Sequence, residues 1–125
     1  MAMTPEGKLK KKVKEYLKSR DAYYYMPVQN GMGVVGIPDL VGCYKGLFFG
    51  IETKAPVMKP RPKEKRWAKA TPNQQRQLEA IIAAGGFADV VDDLSQVEDM
   101  FATMDALLPL VDYDQSAFGG QKDAS

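Results

Sequence analysis

The chain predicts a mixed α/β domain built on one sheet, with elements in the order α-β-β-β-α-β-α. Two Thr-Pro helix starts, at 4–5 and 71–72, each precede apolar residues at helical spacing. Three strand-forming runs lie in succession between them, and the last two flank a two-residue Lys45-Gly46 turn. A fourth short apolar run, 87–91, stands between the second helix and a third. At 125 residues there is room for one core and little more.

Thr4 supplies a capping hydroxyl and Pro5 fits the first helical position, so the first helix runs from there to about Ser19, with Leu9, Val13, Tyr16 and Leu17 on its apolar stripe. Glu6 falls in the first turn, where the helix dipole favours a carboxylate whatever else it does. AYYYMPV at 22–28 is rich in strand formers, and QNGMGVVG after it reads as a turning or mobile loop. DLVGCY at 39–44 and LFFGIETK at 47–54 form a hairpin. Three prolines and six basic residues in APVMKPRPKEKRWAKA, 55–70, predict an extended exposed loop. Thr71 and Gln74 open the second long helix, with Leu78, Ile81 and Ile82 inward and Gly85-Gly86 stopping it. FADVV at 87–91 is a strand. Ser95 with Glu98 predicts a capping box for a last helix through Leu108. The domain therefore spans 1–108, and the polar, acidic segment 109–125 reads as a tail.

Composition narrows the chemistry. An apolar content of 45% fits a folded soluble chain. No apolar run approaches the roughly 20 residues that span a bilayer, and no secretory core opens the sequence, so a cytoplasmic protein of a bacterium or phage-infected host is expected, without a membrane partner. There is no histidine and one cysteine, Cys43, which excludes Cys/His zinc sites, Ser-His-Asp and Cys-His catalysis and an internal disulfide. Carboxylates, lysine, hydroxyls and a hard cation such as Mg²⁺ remain. The net charge of +1 hides an asymmetry. Residues 1–76 carry 16 Lys/Arg against 6 Asp/Glu, a net +10, whereas 77–125 carry one Lys against 10 Asp/Glu, a net −9. The basic half suggests a polyanion partner, with Lys8, Lys11 and Lys12 on the first helix and Lys59, Arg61, Lys63, Lys65, Arg66, Trp67 and Lys69 on the long loop as candidate nucleic-acid contacts. The plainer alternatives are a solvated helix face and a tryptophan that pins the loop to the core.

The acidic residues carry the sharper signal. With the turn at Lys45-Gly46, Cys43 pairs with Phe48, and the same register brings Asp39 opposite Glu52. Two carboxylates at one spot repel, and one takes a proton unless a cation intervenes. Mg²⁺ removes the conflict, and Lys54, on the same face as Glu52, can polarise a water for attack on a phosphodiester. A D…ExK pattern alone is weak, because a cross-strand surface ion pair satisfies it equally well.

Glu6 in the first helix, GIPD at 36–39, IETK at 51–54 and TPNQ at 71–74 together resemble the virus-type replication-repair nuclease family, VRR-NUC, over roughly residues 4–108. That family belongs to the PD-(D/E)xK superfamily, so the resemblance implies a restriction-endonuclease-like core. It implies Mg²⁺ or Mn²⁺ held by Asp39, Glu52 and the main-chain carbonyl of Thr53, with Glu6 reaching the metal directly or through water. It also implies Lys54 as the residue that positions and activates water, and Gln74 as a further polar group near the site, although Thr71 and Gln74 equally fit a capping box. No organic cofactor is implied. Small stand-alone relatives resemble dimeric Holliday-junction resolvases, so the expected activity is Mg²⁺-dependent endonucleolytic hydrolysis of branched DNA by a homodimer, serving DNA repair. The apolar last helix and the 22–28 strand are candidate dimer surfaces. A flap- or nick-directed repair nuclease, a non-catalytic nucleic-acid-binding module and a DNA-mimicking regulatory protein are the competing readings.

Overall fold

A computed structural model describes residues 3–28 and 34–110, so part of the 29–36 loop and most of the expected tail lie outside the described residues. The elements are α1 (Pro5–Ser19), β1 (Tyr23–Tyr25), β2 (Leu40–Tyr44), β3 (Leu47–Thr53), α2 (Lys63–Trp67), α3 (Pro72–Ala83), β4 (Phe87–Val91) and α4 (Leu94–Leu107), with a 3-10 turn at Leu108–Leu110. The predicted order holds with one addition, the short α2. Among the described residues no helix is long and apolar enough to cross a membrane.

The four strands lie in the order β1-β2-β3-β4. The first three form an antiparallel meander, and β4 joins β3 in parallel after the α2–α3 crossover. Lys45 and Gly46 both have positive φ, +49° and +89°, which is what a two-residue hairpin turn of the right twist demands. That turn sets the register: Cys43 pairs with Phe48 and Leu40 with Ile51, as the sequence predicts.

Alternation along β3 sends Phe49 and Ile51 to one face, where they meet Leu9, Val13 and Leu17 of α1 and Val97, Phe101 and Met104 of α4. Phe101 is the hub, in edge or tilted ring contact with Tyr16, Tyr44 and Phe49. Full burial of each such side chain stabilises by about 1.5–3 kcal/mol, so this layer dominates the core. On the other face Leu78 of α3 packs with Val90, Ala70 and Trp67. Ile82, placed on the buried stripe by its spacing, is 43% exposed instead, because α3 meets the sheet along a narrow line through Leu78.

Two further expectations change. The 55–70 segment is not wholly extended: α2 forms within it, and Arg66 is buried, donating from Nε to the Val90 carbonyl at 2.6 Å and pairing with Asp89 at 2.8 Å. Arg66 thereby covers a main-chain acceptor on the open edge of β4, a position that needs a fixed donor. The α4 cap also lies two residues earlier than Ser95. Asp93 is the N-cap: its carboxylate accepts from the main-chain N–H and the hydroxyl of Ser95, and it forms a capping box with Gln96, whose Oε1 accepts from the Asp93 N–H at 3.1 Å.

Candidate active site

The start of β2 and the end of β3 meet at one end of the sheet, and Gly36 lets the start of α3 pack closely there. A side chain at Gly36 would put its β-carbon 2.5 Å from the Asn73 main chain, and its φ of +84° lies where glycine alone is at ease. GIPD and TPNQ, far apart in sequence, are thus packed against each other at the site.

Asp39 stands one residue before β2 and turns over the strand end. Its Oδ2 accepts from the Thr53 main-chain N–H at 3.1 Å and from the Thr53 hydroxyl at 2.7 Å, and Lys10 Nζ lies 3.7 Å from the same oxygen. Glu52 is 3% exposed. Its Oε2 accepts from the Gln74 side-chain amide at 3.1 Å and pairs with Lys54 Nζ at 3.4 Å. Gln74 Oε1 in turn accepts from Lys54 Nζ at 3.1 Å and from the Thr71 main-chain N–H at 3.0 Å. The helix-capping and site roles foreseen for Gln74 are therefore one arrangement: the cap fixes the amide, and the amide faces Glu52 and Lys54.

Glu52 Oε1 is buried and has no hydrogen-bond partner among the described residues. An ionised carboxylate oxygen in that state is costly, and the carboxyl responds: burial first and the Asp39 charge second push its pKa from 4.5 to about 7. The Lys54 ammonium and the Asp39 main-chain N–H act in the opposite direction without reversing the shift. A buried carboxylate beside a second carboxylate, with one oxygen unsatisfied, is suited to a hard divalent cation. Asp39 and Glu52 are the carboxylates that would hold it.

The structure brings together Asp39, Glu52, Thr53, Lys54 and Gln74. Glu6 does not complete a carboxylate cluster with them, since among the described residues no group of three or more Asp, Glu, Cys or His side chains could hold a metal. Among the expected nucleic-acid contacts, Lys8, Lys11, Lys12, Lys59, Lys63, Lys65 and Lys69 are exposed. Arg66 and Trp67 are structural instead: the Trp67 indole N–H donates to Asp89 at 2.8 Å, so the ring is tied down on the β4 side. Arg61 is partly drawn in, 3.5 Å from the buried Asp92 carboxylate. Two contacts at the site went unassigned in the sequence, the Thr53 hydroxyl and N–H on Asp39 and the approach of Lys10. The β-branched polar Thr53, closing a strand whose first five residues are apolar or glycine, was the available signal for the first.

No family model and no curated protein matches the sequence. Among solved structures, one described as a VRR_NUC domain superposes with a TM-score of 0.59 at 24% identity, covering 80% of this chain and 97% of the other. The four-stranded mixed sheet, its flanking helices and this match together show that the chain has a fold similar to that of a VRR_NUC domain.

Proposed function

We propose that the protein is a metal-dependent DNA endonuclease of the VRR-NUC type, hydrolysing phosphodiester bonds at the Asp39–Glu52–Lys54 site. One observation carries the reading: Glu52 is buried beside Asp39 with an oxygen that nothing among the described residues satisfies. A surface salt bridge needs no such oxygen, and a purely DNA-binding module gains nothing by gathering acids where phosphates must approach.

The side chains divide the work. Asp39, oriented by both donors of Thr53, and Glu52, oriented by Gln74, would hold Mg²⁺ or Mn²⁺, with the Thr53 carbonyl as a third protein oxygen. When bound, the cation supplies Lewis-acid charge to the phosphodiester and acidifies water. Lys54 carries three ammonium hydrogens; one is directed to Gln74 and one towards Glu52, which leaves one for the attacking water or a phosphate oxygen. Its fixed charge stabilises negative charge developing in the transition state without reorganising. The exposed lysines of α1 and of the 59–69 segment steer the strand to this end of the sheet.

Branched DNA is the proposed substrate, and a homodimer with two sites is the simplest way to make paired cuts in a four-way junction. Incubating linear duplex, flap and four-way-junction DNAs of matched sequence with Mg²⁺, Mn²⁺ or chelator tests all of this at once. Cation-dependent cleavage concentrated on the junction is the expected result. Salt-dependent binding without nicking in either metal would replace the nuclease by the binding-module reading.

A further inference from the structure

Each carboxylate of the site has its own ammonium. Lys54 serves Glu52, and Lys10 of α1 lies 3.7 Å from Asp39 Oδ2. Lys10 differs from its helix neighbours Lys8, Lys11 and Lys12, which are exposed, whereas its side chain is only 25% exposed and directed into the site. The same Asp39 oxygen already accepts two hydrogen bonds from Thr53, so the carboxylate is oriented without the lysine. Lys10 is therefore not needed to hold Asp39 in place, and its charge is what it adds.

A positive charge beside a metal-binding carboxylate opposes a divalent cation there, because like charges a few ångströms apart repel even when water screens part of the interaction. The repulsion is relieved when the ammonium finds another anion. On the nuclease reading the phosphate of a bound strand is the anion that reaches this site, and Lys10 sits on the lysine-rich α1 beside it. Cation binding and strand binding then favour each other by the same factor.

We propose, resting on the nuclease reading above, that Lys10 is a resident counter-cation of the site: it pairs with Asp39 in the metal-free protein and turns to a phosphate oxygen of the DNA when metal and strand are bound. This makes cation affinity low until the substrate arrives. Lys10 then touches substrate and counts as a catalytic-site cation alongside Lys54, supplied from a different element.

The test is Mn²⁺ titration by calorimetry of the full chain without DNA, comparing wild type with Lys10→Met, Lys10→Gln, Lys10→Arg and Asp39→Asn, together with DNA binding as a function of salt. Lys10→Met and Lys10→Gln should bind Mn²⁺ about 3- to 10-fold more tightly than wild type, while Lys10→Arg, which keeps the charge, stays near it. The same two neutral variants should lose about one unit of salt slope in DNA binding and cleave about 10- to 100-fold more slowly at saturating metal, with Lys10→Arg recovering part of the rate. Tighter metal binding with slower cleavage is a pairing that a merely structural lysine would not produce. If wild type binds Mn²⁺, Asp39→Asn loses it and the neutral Lys10 variants match wild type, the counter-cation role is overturned and the nuclease reading stands. If wild type neither binds Mn²⁺ nor cleaves DNA, the nuclease reading itself is overturned, and this inference with it.

Discussion

The Gln74 side-chain amide donates to Glu52 Oε2 at 3.1 Å while its carbonyl oxygen completes the N-terminal cap of α3. One side chain thus ties a helix terminus to a buried acid. The two roles separate by mutation. Thr71→Ala removes the reciprocal cap bond, in which the Thr71 hydroxyl accepts from the Gln74 N–H, and should cost about 1 kcal/mol of stability while leaving cleavage within about threefold. Gln74→Ala should cost a similar amount and in addition slow cleavage by at least about tenfold, because Lys54 and Glu52 both lose a partner. Thermal unfolding and steady-state cleavage of the two variants side by side decide the matter; equal rate losses would mean that Gln74 acts only through the helix.

Lys54 Nζ lies 3.4 Å from Glu52 Oε2 and donates to Gln74 Oε1 at 3.1 Å, which fixes its charge beside the buried acid. Lys54→Ala should lower the cleavage rate about 10²- to 10⁴-fold with DNA affinity changed only a few-fold, since one charge among many basic residues contributes little to binding. Cleavage at the wild-type rate by the purified variant in Mg²⁺ would falsify the assignment of the site.

The Glu52 carboxyl gives a pH signature. Its folded-state pKa, about 7, is raised above 4.5, so between those values the folded, metal-free protein binds more protons than the unfolded chain. The contribution to stability is fully present below about pH 4.5, is lost as pH rises towards 7, and stays lost above. Glu52→Gln, which mimics the neutral acid, should therefore stabilise the metal-free protein by about 1–3 kcal/mol at pH 8 and by almost nothing at pH 4.5. Mn²⁺ should raise the melting temperature of wild type at pH 8 and leave that of Glu52→Gln unchanged. A variant no more stable than wild type at pH 8 contradicts the buried-charge account.

Local chemistry made the hairpin legible. Lys45-Gly46 permits a two-residue turn with positive φ, and once the turn is fixed the period of two decides which residues share a face. The Thr-Pro helix starts were equally readable, because cap and proline act within four residues. What escaped depends on distant partners. The helix α2 forms although the prolines around it favour extension, and it is held by Arg66 reaching Asp89 across 23 residues. The α4 cap was ambiguous because DLSQVE contains two overlapping patterns, Asp93 with Gln96 and Ser95 with Glu98. Lys10 could not be told from five other lysines on its helix without knowing which face meets Asp39.

The basic 59–69 segment divides into residues that hold the fold and residues free to hold DNA, and mutation should expose the division. Arg66 is buried, with one bond each to the Val90 and Arg61 carbonyls and an ion pair to Asp89. Arg66→Ala leaves the Asp89 carboxylate without its cation and the Val90 carbonyl without its donor, and should destabilise by about 3–5 kcal/mol, seen as a large fall in melting temperature. Lys65 and Lys69 are exposed. Their replacement by alanine should leave the melting temperature within a degree or two, weaken DNA binding uniformly across sequences, and reduce the salt slope by about one for each lysine that contacts a phosphate. Measuring stability and salt-dependent binding on all three variants separates the roles, and Arg66→Ala melting like wild type while losing salt slope would return Arg66 to the DNA-binding surface.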